Sequence, residues 1–202
     1  MDKNEVKNYL LAGNLSEGYR PSTLIWPLWY WAGQQAFTLQ DVEAMKRDYQ
    51  IALCLKFLKS PLYTLEWTVN SKNIQVAKFV DETLKKFWKP NIAKVLRSME
   101  YGYTAGEIIY KLDDGKIHFH TYKEFHPRDC RVLTQNHEYV GFRLRGIQGA
   151  NSVDLIPPKG FWFAVNREFG GWYGRSYLIN IWDSWYEKRS KDGAIDIRRL
   201  TA

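Results

Sequence analysis

FWFAVNREFGGWYGRSYLINIWDSWYEKRSK, residues 161–191, reads as an aromatic strand, a glycine-punctuated loop and a two-faced helix. Phe161, Trp162 and Phe163 run into Ala164 and Val165 just after Pro157-Pro158. So dense a β-prone run predicts a buried strand. Gly170, Gly171 and Gly174 then mark a loop, and Ser176 suits the N-cap of a helix. Tyr177, Leu178, Ile181, Trp182, Trp185 and Tyr186 recur at helical spacing along one stripe, while Asp183, Glu187, Lys188 and Lys191 take the other side. The pattern predicts a helix that docks an aromatic face on protein and turns a charged face elsewhere.

Upstream, the hydrophobic period changes from 3.6 to 2 at Tyr101-Gly102. Residues 103–112 and 116–122 flank Asp113-Asp114-Gly115, a hairpin signal with room for a loop of three residues. A second hairpin pairs 131–134 with 139–145 around Gln135-Asn136-His137-Glu138, and 153–156 is a further short strand. Before the change the pattern is helical. Thr38 and Asp41 form a capping box opening a helix to about Lys59, with Val42, Met45, Tyr49, Ala52, Leu53 and Phe57 as its buried stripe. Pro61 ends that helix and 63–69 alternates as a strand. A helix over 73–88 stops at Pro90, and a shorter one covers 91–100. The first 38 residues look irregular, broken by Gly13, Gly18, Pro21 and Pro27, yet Trp26, Trp29, Tyr30, Trp31 and Phe37 crowd one segment. No solvated tail carries such a cluster, so it reads as an arm packed on its own domain or on a neighbouring subunit. The fold class is α+β: a helical N-terminal half, an antiparallel β-rich middle and a C-terminal amphipathic helix.

Composition permits a substantial core: 45% of residues are hydrophobic and 25% charged. No run reaches the roughly 18 apolar residues of a membrane span, and MDKNEVKNYL lacks the apolar stretch of a signal peptide. A cytosolic product without membrane contact is expected. Net charge is +7, from 29 basic and 22 acidic residues spread over both halves, so polyanions are favoured in general but no basic tail exists. Aromatic content of 16%, with 9 Trp, favours large packed or intersubunit surfaces. Cys54 and Cys130 are expected to be two buried thiols, not a disulfide or a zinc site.

Chemistry-bearing patterns are sparse. His118 and His120 share one side of a strand, but neither His126, His137 nor Asp129 completes a metal site at a familiar spacing. His126-Pro127-Arg128-Asp129 reads as a turn fixed by Pro127 and capped by Asp129. Glu107 stands in an apolar strand beside Ile108 and Ile109. A carboxylate there needs a partner, and a structural ion pair with Arg143 or Arg145 is favoured over a catalytic role. Gly171-Trp172-Tyr173-Gly174-Arg175-Ser176 lacks the spacing of a phosphate-cradling loop, and its aromatics crowd any anion. No catalytic residue, cofactor or metal is expected.

Four segments together look familiar: 101–110 (YGYTAGEIIY), 125–128 (FHPR), 159–163 (KGFWF) and 171–178 (GWYGRSYL). In order and spacing they resemble the bacteriophage portal protein, the head-to-tail connector, over about residues 40–191. That resemblance implies a structural, non-enzymatic virion component at the portal vertex, assembled in the host cytoplasm: a homo-oligomeric ring, commonly a dodecamer. Double-stranded DNA passes through it without sequence readout, and its partners are the terminase motor, capsid and head-tail adaptor proteins. It also implies a division into an N-terminal arm (1–38), a wing-like α+β domain (39–175) and the start of a stem-like helix (176–202), the chain being truncated relative to a full portal. Lys188, Arg189, Lys191, Arg198 and Arg199 become candidate DNA-channel or intersubunit contacts. Trp26, Trp29, Trp31, Trp182 and Trp185 become candidate intersubunit aromatic contacts. The competing expectations are a nucleic-acid-processing enzyme or accessory factor of phage DNA packaging, and a Trp-rich binding module.

Overall fold

A computed structural model describes residues 2–13, 37–136, 138–146, 151–168 and 171–189. The N-terminal stretch expected to be irregular opens with a helix, α1 (Lys3–Leu11), closed by a capping box in which Asp2 and Glu5 bond each other's backbone N–H groups. The expected helix over 38–59 is two helices, α2 (Leu39–Met45) and α3 (Tyr49–Tyr63). Asp48 accounts for the break. Its carboxylate accepts from the Gln50 N–H at 3.0 Å and starts a new helix.

That restart changes which face of α3 is inside. Ile51, Leu55 and Lys59 are buried, whereas Tyr49, Leu53 and Phe57 are 74%, 50% and 69% exposed. The two stripes have the same period and lie two residues apart, on opposite sides of the helix. Pro61 sits inside the last turn of α3, and no strand follows over 64–73. Pro90 does not stop the next helix either: α4 runs from Ile74 to Val95. The Asn91 side chain donates to the Phe87 carbonyl at 2.7 Å, and Lys94 bridges Asn91 to the Tyr122 carbonyl of the sheet. These bonds tie the turn after Pro90, a residue that lacks an N–H, to the helix before it and to the sheet. A single turn, α5 (Ser98–Tyr101), then delivers the chain to the sheets.

Six strands follow: β1 (Tyr103–Asp113), β2 (Lys116–Phe125), β3 (Cys130–Gln135), β4 (Glu138–Leu144), β5 (Val153–Leu155) and β6 (Gly160–Ala164). They pair antiparallel into two three-stranded sheets, ordered β2-β1-β6 and β3-β4-β5. The first hairpin closes on two residues, Asp114 and Gly115, at φ 47° and 71°, the left-handed pair that a tight hairpin requires. Tyr103, Ala105, Phe125, Cys130, Phe142, Leu144 and Leu155 fill the space between the sheets. α4 covers the other face of the first sheet. A second core joins Phe37, α2, α3 and Tyr101 to the C-terminal segment, a 3-10 turn (Tyr177–Ile181) leading into α6 (Trp182–Arg189). Cys130 is buried, but Cys54 is exposed on α3, so only one of the two thiols lies inside.

Candidate functional site

The quoted motifs meet where β6 hands over to the C-terminal helix. The Gly102 carbonyl accepts from Val165 at 2.9 Å, and the Val165 carbonyl accepts from Arg175 at 3.0 Å. Gly174 lies between those two carbonyls. A Cβ there would stand 2.0 Å from the Val165 oxygen and 2.2 Å from the Gly102 oxygen. Gly102 itself has φ 86°, and a Cβ on it would meet the Gly174 oxygen at 2.4 Å. Two chain segments far apart in sequence thus cross backbone to backbone, which only glycine permits. Ser176 adds a bond: its hydroxyl donates to the Glu100 carbonyl and accepts from the Leu178 N–H at 3.0 Å, capping the final helical segment. The aromatics of the loop are structural. Trp162 stacks on Tyr103 at 4.5 Å, Tyr173 meets both rings edge-on, and the Trp162 indole donates to the Trp172 carbonyl at 2.9 Å.

Beside this crossing lies a buried charge cluster that the sequence patterns did not reveal. Glu100 pairs with Lys59 through one carboxylate oxygen and with Lys46 at 2.9 Å through the other. Lys46 also donates to the Tyr101 hydroxyl at 2.9 Å, and that hydroxyl donates to Glu43. Burial pushes the Glu100 carboxyl up, but the hydrogen bonds from Lys59 and Lys46 outweigh it, and the net position is below the ordinary value. Burial, reinforced by the bond to Glu43, pushes Tyr101 up to about 12. The cluster ties α2, α3 and α5 to the start of the C-terminal segment. Its only sequence signal is a lysine in phase with Ile51 and Leu55.

Glu100→Gln is expected to cost about 3 kcal/mol at neutral pH, because it removes one partner of a buried pair. A carboxyl held below its unfolded value stabilises the fold above that value, near pH 4.3, and the contribution is lost as pH falls through the folded one. Denaturant titrations of both proteins should therefore differ most at pH 7 and converge below about pH 4. A gap that persists in acid would contradict the ion-pair account.

Glu107 is fully buried, and its partner is Lys159 at 3.3 Å, not Arg143 or Arg145. Arg143 instead forms a bidentate pair with Asp154 on the neighbouring strand. Lys159 also donates to the Gly13 carbonyl and sits 5.8 Å from the Tyr9 ring. The Tyr9 hydroxyl in turn donates to the Ile156 carbonyl at 3.2 Å and accepts from its N–H at 3.3 Å. α1 is thus fastened over the ion pair by polar contacts, with no buried residue of its own.

The described histidines do not assemble. His118 packs on the Phe79 ring with its Nδ1 3.3 Å from the Thr83 hydroxyl, and His126 accepts from the Arg128 N–H to close the turn that Asp129 was expected to cap. Among the described residues no group of three or more His, Cys, Asp or Glu side chains has the arrangement of a metal site. Trp182 and Trp185 are buried in the chain's own helical core, with Phe37 edge-on to Trp182 at 6.2 Å. The Lys188 ammonium lies 2.8 Å from the Gln50 amide oxygen and 3.8 Å from Asp48, its side chain more than half exposed. Arg189 ends α6. Trp26, Trp29, Trp31, His137, Lys191, Arg198 and Arg199 lie outside the described residues.

The family model of the portal protein of Mu bacteriophage matches residues 39–191. The chain belongs to that family. No curated protein matches it. The match opens at the first residue of α2 and takes in both sheets, the core between them, the second core apart from Phe37, and the whole of α6. In this portal-family chain the glycine crossing and the Glu100 cluster hold the sheets against the C-terminal helix. The family is a structural one, which makes the chain a component of a phage virion. No described helix is long and apolar enough to cross a membrane.

Proposed function

We propose that the chain is a subunit of a homo-oligomeric ring at one capsid vertex, through which double-stranded DNA is packaged and later ejected. The family match over 39–191 is the observation that carries this reading. Residues 39–175 serve as the wing, and the segment from Ser176 leads toward a stem near the channel. The terminase motor, the capsid and a head-tail adaptor are the partners, and no covalent chemistry is required of the chain. Lys188, Arg189, Lys191, Arg198 and Arg199 supply positive charge to DNA phosphates or to a neighbour. Phosphate attraction suits a conduit because it lets any sequence pass.

An outer face of the wing supports assembly. Tyr49, Leu53 and Phe57 form an exposed apolar stripe on α3, the kind of patch that marks a protein contact. A second copy of the chain is the partner for that stripe in a ring. Leu53→Asp with Phe57→Asp should leave thermal stability within about 1 kcal/mol, since neither side chain is in the core. The same pair should shift the particle from ring to monomer in light scattering. Rings that persist would remove α3 from the subunit contact.

A further inference from the structure

The β1–β2 hairpin carries opposite charge at its two ends. At the tip Asp113 and Asp114 are exposed, and neither carboxylate is in an ion pair among the described residues. Lys116, the register partner of Asp113, is turned onto the Phe79 ring of α4 at 5.4 Å, and Lys111 lies two residues back along β1. At the base, β2 ends at Phe125, and a pocket of about 300 Å³ opens between the turn that follows and α2. Gln40, Glu43, Arg47, His126 and Arg128 supply its polar wall. The turn is held in place: the Tyr103 hydroxyl donates to the Pro127 carbonyl at 2.6 Å, and the His126 ring accepts from the Arg128 N–H at 3.3 Å. The Arg128 side chain is only 15% exposed, and its Nε stands 3.9 Å from Asp129, beyond a hydrogen bond. Arg47 is exposed and has no ion-pair partner among the described residues. Glu43, the carboxylate of the wall, already accepts from the Tyr101 hydroxyl and lies 3.7 Å from Lys46 and 3.9 Å from His126. The pocket is therefore short of negative charge.

We infer that it receives Asp113 and Asp114 of a neighbouring copy, which deepens the ring reading above and rests on it. Guanidinium groups favour carboxylates because they can bond both oxygens, and an arginine largely withdrawn from water binds them more strongly than an exposed one does. The hairpin cannot fill its own pocket. The ten residues of β2 separate tip from base by about 30 Å. Tip and pocket are different surfaces at opposite ends of one rigid element, so their contact is head-to-tail and repeats from copy to copy, the kind that closes into a ring. Arg47 stands two residues before Tyr49, which places the pocket beside the exposed stripe of α3, and Leu112 at the tip, 45% exposed, brings an apolar side chain to that stripe. A hairpin tip is also slender enough to enter a concavity, whereas a duplex presents its phosphates on a broad convex surface.

Charge exchange in the full-length gene product tests the contact. Asp113→Lys with Asp114→Asn reverses the tip, asparagine tolerating the left-handed backbone at 114. Arg47→Glu reverses the pocket. Each is expected to raise the concentration needed for rings in light scattering by about tenfold or more, and the two combined to return it to within about threefold of the parent. All three positions are exposed, so circular dichroism should be unchanged. In a Cys54→Ser background, a mixture of Asp113→Cys and Arg47→Cys chains should give an oxidised band of twice the chain mass that neither gives alone. Rings indifferent to both reversals, a combined variant no better than the two losses together, or no band from the mixture would overturn the inference and leave the ring reading standing. Assembly intact with DNA binding lost in Arg47→Glu would overturn it too, and would give the pocket to phosphate. A parent protein that never forms rings would remove the ring reading and the inference with it.

Discussion

Gly174→Ala is expected to abolish the folded protein. Its added methyl carbon would lie 2.0 and 2.2 Å from two backbone oxygens, neither of which can swing aside as a side chain can. Moving them breaks the Val165 to Gly102 and Arg175 to Val165 hydrogen bonds, which join β1, β6 and the C-terminal segment. The loss should exceed about 4 kcal/mol, the exceptional end of single substitutions and a large part of a domain's total stability. Gly171→Ala is the control. Its methyl would meet the Glu168 oxygen at 3.2 Å, a contact that a surface loop relieves, and the cost should be about 1 kcal/mol or less. Thermal unfolding followed by circular dichroism distinguishes the two. Equal melting temperatures would show that the crossing is looser than the geometry demands.

Lys159→Met should cost about 3–5 kcal/mol, because it leaves the buried Glu107 carboxylate without its cation. It also releases the Gly13 carbonyl, so α1 should detach first and become sensitive to protease while the sheets still hold. Combining it with Glu107→Gln should recover much of the loss, since the uncompensated charge is then gone. Chemical denaturation of the single and double variants measures both terms. A double variant no more stable than Lys159→Met would mean that Lys159 acts through α1 and not through the ion pair.

Much of the β half was legible in residues because its signals are local. Asp114-Gly115 at a hairpin, a Gly-rich loop before Ser176, and the strand around Phe161 to Ala164 each need only neighbours in sequence to be understood. The helical half was legible in class but not in phase. Tyr49-Leu53-Phe57 and Ile51-Leu55-Lys59 repeat identically, and the more hydrophobic stripe is the one that faces out. Periodicity reports that a helix has two faces, while tertiary packing selects between them. Pro61 and Pro90 likewise misled as stop signals: α3 continues past the first to Tyr63 and α4 past the second to Val95. The Glu100 pair and the partner of Glu107, a residue read in sequence as half of a structural ion pair, were hidden for a different reason. Glu100 with Lys59, and Glu107 with Lys159, join residues tens of positions apart, and no spacing rule connects them. Portal-family membership was readable from four short motifs, two of which meet at the glycine crossing. Trp182 and Trp185, candidates in sequence for intersubunit contact, are packed in the chain's own helical core.

Electron microscopy of the purified full-length gene product is the decisive experiment. Closed rings with a central hole are expected, with the wing sheets at the periphery and α6 directed toward the channel. A monomer at high concentration, or a closed assembly in which α6 faces outward, would contradict it.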